Sequence, residues 1–206
     1  PEPTDSTESE ADDLEIARRS GNRIHDLIHH DDGTAAYEKE AADPRLHAAR
    51  EFIGSFGGRS DYGHHEHAFG SDGISVAQLG EGRSSYDARP ECTVAGTVDW
   101  YAVEISGDWR VVDWKSGDHG ARHAREQLRT LGALVLSALG GSRVVLQAVH
   151  FTAGCPSEAR VFDHGTIDPM DAESILAELH AIEPGEPIAG EHCADYYCPL
   201  RGRCPA

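Results

Sequence analysis

The sequence predicts an α/β domain in which a mixed sheet is flanked by helices. Three observations carry that expectation. Residues 96–117 place aromatic and β-branched side chains on both sides of Ser106-Gly107-Asp108, the composition of two strands joined by a tight turn. Leu128, Leu131, Val135 and Leu139 recur at helical spacing within 121–139. Helical and strand-like stretches follow one another as helices, sheet, helix, strands, helix, which is the order of an α/β core with antiparallel elements.

The elements follow in order. Residues 1–12 read as a flexible acidic segment. A helix is expected over 13–29, with Leu14, Ala17, Ile24 and Ile28 as its apolar points; Gly21 inside it costs about 1 kcal/mol relative to Ala, which suggests close packing there. A second helix is expected over 34–56, bent or broken near Pro44, with Tyr37, Leu46, Phe52 and Ile53 toward the core. The β region begins at His64-His65-Glu66-His67. Short strands are expected at 74–79 and 84–87, separated by Gly80-Glu81-Gly82. After the hairpin, a helix over 121–139 ends at Gly140-Gly141. Strands at 143–151 and 159–164 flank a turn at Gly154-Cys155-Pro156. Asp168 caps a last helix, with Pro169 in its first turn and Ile175, Leu176 and Leu179 packing inward.

At 206 residues the chain is long enough for a substantial core. Its longest apolar run, from Leu131 to Leu139, is far short of the roughly 20 residues of a membrane span. No signal-peptide pattern is present, so a cytoplasmic protein with no membrane partner is expected. The chain starts with Pro rather than Met, so a processed product or a fragment is expected. The net charge of −18 argues against nucleic acid as a partner, yet residues 1–15 alone hold seven acids and no base.

The hairpin carries the chemistry. With the hairpin symmetric about Gly107, Asp99 faces Lys115, Tyr101 faces Asp113, and the odd positions share one face. An isolated Asp-x-Lys is ordinarily a solvated surface pair. Here Val111-Val112 lead into Asp113-Trp114-Lys115, and Asp99 converges on the same end. Charges ending a buried strand are costly unless they are used, and two carboxylates at that separation suit a hard divalent cation.

Gly96-Thr97-Val98-Asp99 followed by Val111-Val112-Asp113-Trp114-Lys115 resembles the G-x-x-D and D-x-K elements of the PD-(D/E)XK nucleases, RecB-type exonuclease branch. The resemblance implies a restriction-endonuclease-like fold over 13–189 and a metal-dependent deoxyribonuclease. Asp99 and Asp113 would bind Mg²⁺ or Mn²⁺ with the Trp114 backbone carbonyl, and Lys115 would position the attacking water. Gly21-Asn22-Arg23-Ile24-His25 is similar to the branch's Gly-x-x-x-His element, which makes His25 a further ligand. Glu66 fits the acid found at the start of its sheet. Gln127 matches its helix Gln, although Leu131 stands where the family usually has Tyr. Arg122, Arg125 and Arg129, on the helix after Lys115, suit a phosphate backbone; a solvated helix face explains them equally well.

Residues 190–206 form a cysteine-rich segment. Cys193, Cys198 and Cys204 suggest a metal site rather than disulfides. They resemble the C-terminal cysteine cluster of iron–sulfur nucleases, which implies a 4Fe–4S cluster, although zinc stays open; no cysteine precedes Cys92, so the expected fourth ligand is lost with an N-terminal stretch, or is replaced by Cys92, Cys155 or His192, or the cluster is absent. The implied partner is DNA, as single strands or duplex ends, with a possible protein partner in a larger complex. Two other readings stay open. One is a nuclease-fold module that binds DNA or protein without cutting, which the charge favours. The other is a small metal-storage or redox protein built on the cysteines.

Overall fold

The computed structural model describes residues 19, 23–29, 43–56, 63–82, 85, 89, 91–115, 121–152 and 155–182. They form a mixed α/β sandwich. Helical residues 23–29 (α1) and Pro44–Gly54 (α2) precede three antiparallel strands, His64–Ser71 (β1), Val76–Glu81 (β2) and Val94–Val103 (β3). Trp109–Lys115 (β4), Ala121–Leu139 (α3), Val144–Thr152 (β5), Cys155–Ile167 (β6) and Pro169–His180 (α4) complete the order. The six strands lie as β2-β1-β3-β4-β5-β6. All neighbours are antiparallel except β4 and β5, which are parallel because α3 carries the chain across between them.

Each face of the sheet has its own core. On one side Ile24, Ile28 and Leu46 from α1 and α2 meet Trp100, Val112, Trp114 and Phe151. On the other, Leu128, Leu131, Leu134 and Val135 of α3, with Ile175 and Leu176 of α4, cover Tyr101, Val111 and Leu146. The helical stripe therefore buries as its spacing predicts, except that Leu139 is only partly covered at the helix end. Gly132 sets the closeness of α3 to the sheet, since a Cβ there would lie 2.4 Å from Leu146 Cδ2.

Several boundaries differ from the sequence expectation. The break expected near Pro44 is the start of α2; the part of the expected helix over 34–42 lies outside the described residues. Asp43 is extended and accepts the Arg45 N–H at 3.2 Å as N-cap, and Pro44 takes the first helical position, which needs no N–H. Of 84–87 only Ser85 is described, and it hydrogen-bonds back to Gly82 and Glu81 rather than pairing as a strand. β6 is longer than expected and pairs from Cys155 onward. Asp168 caps α4 as expected, and Asp171 closes a reciprocal capping box with it.

The hairpin register is also corrected. Tyr101 pairs with Val111 and Ala102 with Arg110, so the centre falls on Ser106 and not Gly107. A five-residue loop causes this. Glu104 N–H reaches Asp108 O at 2.8 Å, Gly107 N–H reaches Glu104 O at 3.0 Å, and Gly107 takes a positive φ of 87°. The shift is two residues, so each side chain keeps its face, and the continued register sets Asp99 against Asp113 instead of Lys115.

Candidate metal centre

Pairing between β3 and β4 stops at Trp100 and Val112. Beyond that point the alternation of faces breaks at Asp99. Val98 and Tyr101 both pack in the α3-side core, whereas Trp100 lies in the opposite one. Asp99 is thereby turned toward β4, where its Oδ2 accepts the Trp114 N–H at 2.8 Å. The Trp114 indole is held by Phe151, stacked at 5.9 Å, and by the edge of Phe52 at 5.7 Å, so the donor is fixed. In an extended strand the N–H and C=O of one residue leave on the same side, so the Trp114 carbonyl also faces β3.

Glu66 reaches the same level from β1. His65 pairs with Trp100 and His67 with Val98, which sets Glu66 across from Asp99. Glu66 takes φ 49°, the one positive φ at a non-glycine among the described residues. A left-handed residue inside a strand costs about 1–2 kcal/mol, and it lets His64 and His67 both lie against Tyr101, three positions apart. The third strand contributes Asp113. Three carboxylates thus occupy one row across three adjacent strands, an arrangement that repels itself unless positive charge is supplied.

Two basic side chains face that row. His25 of α1 comes from one layer, with Nδ1 3.5 Å from Asp99 Oδ1. Lys115 lies 2.7 Å from Asp113 Oδ2 and donates to Gln127 Oε1 of α3 at 3.0 Å, from the other layer. His25, Glu66 and Asp99 each offer a ligand atom within 4.8 Å of one another. Asp113 stands beside this trio. Its Oδ2 is buried and ion-paired with Lys115, but among the described residues no donor meets it at a hydrogen-bonding angle.

The two aspartates are pushed apart in acidity. Burial raises the Asp113 carboxyl to about 7, with the Asp99 charge adding to it and Lys115 opposing. Burial acts on Asp99 too, but the hydrogen bond and charge of His25, the Trp114 N–H and Lys115 outweigh it and hold it below the usual range. Burial would lower His25, yet Asp99, Glu66 and Asp113 together raise it. The converging donors are two carboxylates and one imidazole, with the Asp113 carboxylate beside them. Hard oxygen ligands with a single nitrogen suit Mg²⁺ or Mn²⁺.

The expected residues divide as follows. His25, Glu66, Asp99, Asp113, Trp114, Lys115 and Gln127 come together. Arg125 and Arg129 are exposed on α3 but lie about 160° around the helix from Gln127, away from Lys115. The Arg122 side chain and Cys193, Cys198 and Cys204 fall outside the described residues. What the sequence concealed is the left-handed Glu66 and the splaying of β3 from β4. Among the described residues, no helix is long and apolar enough to cross a membrane.

No family model and no curated protein matches this chain. A solved structure described as "Crystal structure of SSO0001" aligns with 80% of this chain and 69% of its own at 20% identity, with a TM-score of 0.38. That likeness is too distant to assign chemistry, which rests on the residues of the centre.

Proposed function

We propose that the chain is a metal-dependent deoxyribonuclease of the RecB-type branch of the PD-(D/E)XK nucleases, an exonuclease acting in the cytoplasm in DNA repair, recombination or defence. The observation that supports this reading is the row of Glu66, Asp99 and Asp113, met by His25 on one side and by Lys115 with Gln127 on the other. His25, Glu66, Asp99 and Asp113 would hold Mg²⁺ or Mn²⁺. Bound there, the ion supplies charge to the phosphate and acidifies a water. Lys115 brings a second positive charge within reach of the same phosphate and orients the water through its ammonium protons. Gln127 accepts one of those protons and so aims the other two. Asp99 fixes the strand carrying Asp113 and Lys115 through the Trp114 N–H.

The test is digestion of end-labelled single- and double-stranded linear DNA beside a closed circle, in Mn²⁺ or Mg²⁺. Loss of linear DNA only, abolished by Asp113→Ala, is expected. Cutting of the circle would make the protein an endonuclease. No cutting with either ion would move the reading to a binding module that does not cut.

A further inference from the structure

A second feature of α3 lies apart from the metal centre. Between this helix and the edge strand β6 runs a shallow groove of about 120 Å³, lined by Arg125, Arg129 and His164 over a floor of Leu128, Leu146 and Ile167. The volume holds about four waters, too little for a base and its sugar together but enough for one phosphate with part of its ribose. In a chain of net charge −18, no carboxylate lines it among the described residues. Arg129 pairs with Glu126 at 3.4 Å, and both side chains are well exposed, so the pair is loose and open to exchange. The strand side of the groove is also open. β6 ends the sheet, and a Cβ at Gly165 would meet nothing within 4 Å.

We propose that this groove binds a phosphodiester of the substrate strand several nucleotides from the one being cut. The proposal rests on the reading that DNA is the substrate. The two arginines are one turn apart on one face of α3 and present paired donors of the kind that grip a phosphate. The apolar floor suits the sugar methylene beside the phosphate, which a free inorganic ion lacks. Gln127 lies on the far side of the same helix, next to Lys115. Val111, not Lys115, is level with the groove residues Leu146 and Gly165, so a strand that delivers one phosphate to Lys115 and passes across α3, a helix about 10–12 Å wide, meets the groove with a phosphate several nucleotides along. The arginines therefore hold the strand and do not touch the reacting one.

The test is binding of a short fluorescent single-stranded oligonucleotide in Ca²⁺, read by anisotropy at several salt concentrations. Arg125→Gln with Arg129→Gln is expected to weaken binding at least tenfold. It should also reduce the slope of log affinity against log salt by about 0.7, one phosphate contact on a single strand. A charge-matched control, Arg89→Gln with Arg160→Gln, removes two exposed arginines elsewhere and is expected to keep parental affinity and slope. Gly165→Asp, which sets a carboxylate in open space in the groove, should weaken binding as the groove pair does. Equal losses in the groove and control pairs, or unchanged binding in the groove pair, would overturn the proposal. So would inorganic phosphate displacing the oligonucleotide equally well from parent and groove variant. A failure of the nuclease reading shows separately, as absence of cutting in Mn²⁺ by the parent chain.

Discussion

The buried carboxylate of Asp99 takes the backbone N–H of Trp114 at 2.8 Å, one residue past the last paired residue of β3 and two past that of β4. This contact makes one aspartate both a structural acceptor and a candidate ligand. The two roles separate by substitution. Asp99→Ala leaves a buried N–H without its acceptor, a cost of about 1–3 kcal/mol, and removes a charge from the cluster. Asp99→Asn keeps an oxygen for Trp114. Urea unfolding should show Asp99→Ala clearly destabilised and Asp99→Asn close to the parent chain, while calorimetry should find Mn²⁺ binding lost in both. Mn²⁺ binding retained by Asp99→Asn would remove Asp99 from the ligand set.

Asp113 gives a prediction with a definite pH sign. Its carboxyl is raised from 3.8 to about 7 in the folded chain. Between those values the folded state holds a proton that the unfolded state has lost, so without metal this group destabilises the fold progressively as pH rises from about 4 to 7. Asp113→Asn removes that penalty. In EDTA at pH 8 its melting temperature should exceed the parent's by a few degrees, since 1 kcal/mol moves a domain of this size by about 2–4 °C. The difference should shrink toward pH 4. With Mn²⁺ the order should reverse, because only the parent chain gains the ion's stabilisation. A variant less stable than the parent in EDTA at pH 8 would mean that Lys115 compensates Asp113 fully.

Much of this centre was legible in the sequence because strand alternation is a local property. Val111-Val112-Asp113-Trp114-Lys115 announces a buried strand ending in charge, and a register error of two residues leaves every side chain on its face. The loop length was not legible, since Ser106-Gly107-Asp108 suits more than one turn, and only the bond from Glu104 to Asp108 selects the five-residue form. Asp43-Pro44 did carry a helix-start signal, an N-cap followed by proline, but the apolar residues on both sides masked it as a break. His25 reaches Asp99 from the helix layer opposite Gln127, an approach that exists only because the paired strands β3 and β4 splay beyond Trp100 and Val112, and no spacing in a sequence encodes that.

Lys115 and Gln127 should differ in degree. Lys115→Met removes the charge that faces Asp113 and that, under the nuclease reading, would face the phosphate; catalysis of this kind is worth about 10²–10⁴-fold. Mn²⁺ binding should persist, since the residues meant to hold the ion remain. Gln127→Ala loses one exposed hydrogen bond to Lys115 and should slow cutting about tenfold, the equivalent of roughly 1.4 kcal/mol. Single-turnover cutting in saturating Mn²⁺ measures both. A Gln127→Ala loss as large as that of Lys115→Met would mean that Gln127 touches the reacting groups itself.

Glu66 tests whether strain in β1 serves the centre. Its φ of 49° is unfavourable for any residue with a Cβ and free for glycine. Glu66→Gly should therefore relieve about 1–2 kcal/mol of backbone cost and remove one acid from a self-repelling row. Glycine's greater freedom in the unfolded chain offsets part of that gain, roughly 0.5–1 kcal/mol. Glu66→Gln relieves only the repulsion and keeps the strain. In urea without metal, both variants should be at least as stable as the parent, with Glu66→Gly the more stable of the two. In calorimetry both should bind Mn²⁺ more weakly than the parent. Weaker binding together with greater stability is the signature of a conformation held for a ligand. If both variants unfold more readily than the parent, Glu66 has a structural partner in the fold, and the left-handed turn serves β1 rather than the ion.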